Sequence, residues 1–128
     1  ERGRVAKARG DYARAEQFFE QSIALNPLRA SNYQELAMLA ALRDDPKAID
    51  RAIRRGIAAY PRGTHTFGRT AVRAYYRAGD LDSALEWLRK TRARGPFRGN
   101  RARFNQRFER LETVIEQQRA RDQEGSMP

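Results

Sequence analysis

Cysteine is absent from this 128-residue chain. That excludes disulfides and thiolate metal sites, and it leaves the redox compartment open. Histidine occurs once, as His65, so a cluster of imidazole ligands is excluded as well. No apolar run approaches the roughly 20 residues that span a bilayer, and no signal peptide is expected ahead of the fold. β-branched residues are sparse, apolar spacing is three and four throughout, and no strand is expected. Glycine-rich phosphate loops of the GxGxxG kind are missing too. Lysine is nearly so: of 26 basic residues only Lys7, Lys47 and Lys90 are lysine, the rest arginine.

What is present is charge. The formal net charge is +10, which favours anionic partners: acidic peptide, phosphate, nucleic acid or lipid headgroups. A GC-rich, bacterial-type genome accounts for the choice of arginine over lysine but not for the charge itself. Carboxylates are scattered along the chain at solvent-facing spacings, with no nucleophile, base and orienting group in evidence. The inventory therefore points away from an enzyme, with no cofactor and no metal expected. The length fits one domain, long enough to bury roughly two thirds of its unfolded surface.

One phrase recurs. Residues 9–27 read RGDYARAEQFFEQSIALNP and residues 78–96 read AGDLDSALEWLRKTRARGP. Pro27 and Pro61 are 34 positions apart, and Pro61 and Pro96 are 35 apart. A period of about 34 residues is the mark of stacked helical hairpins. Local signals agree. Asp11 and Asp80 are N-cap candidates for helices over about 12–25 and 81–94. Asp45-Pro46 opens a helix over about 46–59, and helices are expected over about 30–43 and 65–78, the latter capped by Thr64. Asn100 would cap a long final helix to about Arg121, with Phe104, Phe108, Leu111 and Ile115 on its packed stripe and a frayed tail over 122–128.

On these residues the chain resembles the tetratricopeptide repeats. Tyr33, Ala37, Ile53, Gly56 and Pro61 fill the family's aromatic, small, bulky, small and proline positions in the middle repeat. Phe67, Ala71, Gly79, Ala84, Leu88, Thr91 and Pro96 do so in the third. Gly3, Gly10, Ala15, Phe19, Ser22 and Pro27 match in the first. The resemblance implies an all-α fold, a right-handed superhelix of antiparallel hairpins, with repeats over about 1–27, 28–61 and 62–96 and a capping helix over about 100–121. The first repeat begins inside its own first helix, so a longer parent protein is expected, a membrane-anchored one among the alternatives. The middle hairpin departs from the pattern, with Asp44-Asp45-Pro46 in place of Gly-Asp.

In this family the first helix of each hairpin lines a concave groove that takes extended peptides. The resemblance thus points to Gln34, Glu35 and Met38 in the middle repeat, and to His65, Arg69, Val72, Arg73 and Tyr76 in the third. Arg4 and Lys7 would continue the surface. Arg69, Arg73 and Arg77 recur every four residues as a basic ridge, and an arginine beside an aromatic is a good receptor for a carboxylate. The carboxylate-clamp variant of the family is not expected: Arg69 stands at its arginine position, but His65, Glu35 and Arg4 replace its lysine and asparagines.

A second basic feature is the acid-free stretch from Arg89 to Arg107, in which Phe97 and Phe104 interleave with arginines. It could grip phosphates and stack bases, or its phenylalanines could simply seat the last helix while Arg89, Arg92 and Arg94 offset a helix dipole. The expected function is binding of a protein or peptide of acidic character in the groove of a scaffold module. The alternatives are electrostatic binding of nucleic acid or another polyanion through residues 89–110, and a spacer or self-association role. The compartment, cytoplasm or periplasm, is left open.

Overall fold

The computed structural model describes residues 11–94 and 101–125. These form α1 (Tyr12–Leu25), α2 (Ala30–Leu42), α3 (Pro46–Ala59), α4 (Thr64–Arg77), α5 (Leu81–Arg94) and α6 (Arg101–Gly125), with a 3-10 turn at Pro61–Gly63 and no strand among the described residues. No helix is long and apolar enough to cross a membrane. The expected start of the first repeat (Gly3, Arg4, Lys7 and Gly10), the closing loop with Pro96 and Phe97, and the cap Asn100 lie outside the described residues.

Three aspartates start helices as their positions predict. The carboxylates of Asp11, Asp45 and Asp80 accept from the backbone N–H groups of Arg14 at 3.1 Å, Ala48 at 3.2 Å and Ser83 at 3.2 Å. Each such cap is worth about 1 kcal/mol. Thr64 does not cap. The 3-10 turn already carries the chain into helical geometry, so Thr64 is the first residue of α4 and its hydroxyl donates to the Pro61 carbonyl at 2.6 Å. α6 also runs on past Arg121 to Gly125, with the Gln118 side chain donating to Asp122 at 2.8 Å.

The two hairpin turns are copies of each other. After α2, the N–H of Asp45 reaches Ala40 O at 3.0 Å and that of Asp44 reaches Ala41 O at 3.1 Å. After α4, Asp80 reaches Tyr75 O at 2.9 Å and Gly79 reaches Tyr76 O at 3.1 Å. This is the Schellman closure, which needs a left-handed residue at its apex. Gly79 supplies it at φ 80°; Asp44 is forced into it at φ 53°.

Packing follows the chain. α2 pairs with α3 and α4 with α5 as hairpins; α2 also packs on α1 and α4, α3 on α4, and α5 on α6. Gly68 meets Thr91, so α4 and α5 run antiparallel. α2 and α4 run side by side, with Tyr33 edge-on to Phe67 at 6.3 Å and the Gln34 amide donating to Thr70 Oγ1 at 3.0 Å. Phe67 is fully buried, and a Cβ on Gly56 would come 2.6 Å from its ring, so the small residue at 56 is what lets α3 approach α4. α3 and α5 are separated by an open pocket of about 710 Å³ between Ile57 and Trp87, and α1 and α3 by one of about 270 Å³ over Leu36 and Ala52. Arg55 bridges the smaller gap through two bonds of 2.8 Å to Glu20, its guanidinium 5.9 Å from the Tyr33 ring.

Candidate functional site

The face carried by α2 and α4 is uneven in what it offers a partner. Gln34 is half-buried and committed to Thr70, whose own hydroxyl donates to Thr66 O at 3.1 Å, so it is a strut between helices. Val72 is buried at 7 % exposure and belongs to the core. It supports the surface from below and offers no contact area, which corrects its place among the binding residues. Glu35 and Met38 are half-buried. Tyr76 is 40 % exposed at the end of α4.

Arg69, Arg73 and Arg77 project from α4 as exposed side chains and form no ion pair among the described residues. At spacing four they stand one above another. Three like charges on one helix face repel, by a few tenths of a kcal/mol for each i,i+4 pair. An anion laid along the ridge relieves that repulsion.

His65 behaves differently from its neighbours. Its ring lies 5.6 Å from Phe104 and 6.4 Å from Phe108, centroid to centroid, and the two phenylalanines sit 4.6 Å apart. Its Nε2 is buried with no hydrogen-bond partner among the described residues. Desolvation, and then the positive charge of Arg69, hold its pKa below the usual imidazole value. His65 is thus a neutral ring in the joint between α4 and α6.

The acid-free run that begins at Arg89 is not a bare basic surface, because α6 brings acids to it. Arg89 donates to Glu112 at 2.8 Å and Glu116 at 3.1 Å, and Arg92 to Glu109 at 3.0 Å. Lys90 pairs with Glu86 at 3.0 Å and lies 5.4 Å from the Trp87 ring. Arg119 closes the far end on Asp82 at 3.1 Å. Glu109, Glu112 and Glu116 recur at three and four along α6, so their shared face was readable; which helix it would meet was not.

Leu111 departs from its expected place. Phe108 and Ile115 are buried, whereas Leu111 is 42 % exposed and Val114 47 % exposed. Seven residues separate the buried pair, which returns them to one line on the helix. Leu111 is three steps from Phe108 and falls to one side. Sequence reasoning also passed over Val114 and Trp87.

No cluster of three or more potential metal ligands occurs among the described residues. Compared with protein-family models, and with curated proteins, the chain matches none.

Proposed function

We propose that this chain is a non-catalytic, tetratricopeptide-like interaction module that takes an acidic segment of a partner protein along the face formed by α2 and α4. In this reading the hairpins continue as a right-handed superhelix. α2 and α4 form its inner layer, while α1, α3 and α5 splay on the outside. The side-by-side packing of α2 on α4, against the open gaps between the outer helices, supports it.

The observation that carries the functional reading is the difference between the two sets of arginines. Arg89 and Arg92 are spent on carboxylates of α6, whereas Arg69, Arg73 and Arg77 have no such partner among the described residues. The uncompensated charge sits on α4, beside Tyr76 and Met38, which supply contact area. Nucleic acid binding through residues 89–110 is correspondingly disfavoured, because acids on α6 stand among those cations.

Fluorescence anisotropy with a labelled glutamate-rich peptide tests the proposal, with random-sequence DNA as the competing ligand. The double variant Arg69→Glu with Arg73→Glu should lower peptide affinity by at least about tenfold. Unchanged affinity would refute the ridge as the contact. DNA binding that is tight at about 50 mM salt, weakens log-linearly with salt, and survives the double variant would favour the polyanion reading instead.

A further inference from the structure

The exposed apolar pair on α6 has an orientation that the contacts fix. α5 and α6 run antiparallel, since Arg92 meets Glu109, Arg89 meets Glu112 and Glu116, and Asp82 meets Arg119. α4 and α5 are antiparallel too, so α6 runs in the direction of α4. His65 near the start of α4 packs against Phe104 and edge-on to Phe108 near the start of α6, and is closer to Phe104. The acids of α6 lie on the flank beside α5, and the flank that continues Phe104 turns toward α4. Leu111 lies two turns beyond Phe104 on that line, and Val114 lies about a turn further. With His65 nearer Phe104 than Phe108, Leu111 falls between the levels of Arg69 and Arg73, and Val114 falls just beyond Arg73.

We infer that α6 supplies the second wall of the site: Leu111 and Val114 face the channel bordered by Arg69 and Arg73. The segment it takes is an acidic amphipathic helix, with apolar side chains at helical spacing flanked by carboxylates. This rests on the proposed α4 ridge and goes further, because it names what the ligand must carry besides charge. Leu111, Val114 and Tyr76 are among the large apolar side chains left exposed among the described residues. Exposed cations stand on both helices: Arg69 and Arg73 on α4, Arg107 and Arg110 on α6. An apolar strip with a basic border is complementary to an apolar stripe with an acidic border, and a preformed helix loses the least entropy in matching it. A purely apolar ligand would leave the arginines unpaired, and a purely acidic one would leave the strip wet.

Two labelled peptides of about 16 residues, long enough to hold some helix, separate the ideas. One carries Leu at positions i, i+3, i+4 and i+7 among Glu; the other carries Glu with Ala or Ser in place of Leu. The wild type should bind the Leu/Glu peptide about tenfold more tightly than the other, the gain expected from burying one or two aliphatic side chains. Leu111→Ser with Val114→Ser should erase that preference and leave the leucine-free peptide unaffected. Both residues are half-exposed, so the fold should survive; circular dichroism and melting check this, and Leu111→Lys alone is a second variant with the same expectation. Equal binding of the two peptides by the wild type, or a preference that persists in both variants, would overturn the inference while the ridge proposal stands. Loss of all binding on charge reversal of Arg69 and Arg73 supports the ridge alone. If charge reversal changes nothing, the ridge itself fails.

Discussion

His65 shows how one side chain can tie stability to pH. Burial of its Nε2 and the nearby Arg69 guanidinium both disfavour the imidazolium, so the folded pKa lies below the unfolded value of about 6.5. The unfolded chain then binds more protons than the folded one as pH falls past that value. Stability is therefore full above it and declines as the solution acidifies toward the folded pKa. Melting temperatures measured between about pH 7.5 and pH 5.5 should fall in the wild type. In His65→Phe, which keeps a ring against Phe104 and Phe108, the decline over that window should be shallower. An identical slope in the variant would remove His65 as the titrating group. Glu20, whose pKa is lowered by its bonds to Arg55, loses its contribution only as pH drops below the ordinary carboxylate range.

At the scale of the element, the two hairpin turns form a natural experiment. The same hydrogen bonds close both, yet one apex is Gly79 and the other Asp44. A side chain in the left-handed region costs roughly 1 kcal/mol relative to glycine, somewhat less for aspartate. Asp44→Gly should therefore stabilise the fold by about 0.5 kcal/mol, and Gly79→Ala should destabilise it by about 1 kcal/mol. Urea melts of both variants check the pair. A loss in Asp44→Gly would mean that the aspartate contributes something its backbone strain conceals. These turns also show what the sequence made legible. Caps, breaks and helix lengths are local, and Asp11, Asp45 and Asp80 act where spacing put them. The burial of Phe67 beneath Gly56 was legible in the small and aromatic positions at 56 and 67. The placement of Val72, Leu111 and the acids of α6 was not legible, because it depends on the rotation of one helix against another. A shift of a few tens of degrees moves a residue from surface to core and leaves the hydrophobic period unchanged.

At the scale of the whole molecule, the net charge of +10 is divided between masked and unmasked cations. Neutralising the mask should reveal what it suppresses. The triple variant Glu109→Gln, Glu112→Gln, Glu116→Gln frees Arg89 and Arg92 and raises the net charge by three. Random-sequence DNA should then bind with a steeper salt dependence, by about two to three units of log–log slope. An unaltered slope would show that α5 and α6 never touch the DNA. The same change removes four ion pairs among exposed to half-buried side chains, each worth at most about 1 kcal/mol, so a modest fall in melting temperature is expected alongside.

Each helix packs on its neighbours in sequence, and α2 and α4 also reach the helix after next, as Tyr33 does on Phe67 and His65 on Phe104. A chain tied together in this way has no single clamp that must break before anything else moves. Pulled from its two ends it should yield in steps, a hairpin at a time, each of about 34 residues releasing on the order of 100 Å of slack. If a parent protein places this segment between two anchored parts, the helices form an extensible link, and tension would open the joint at His65.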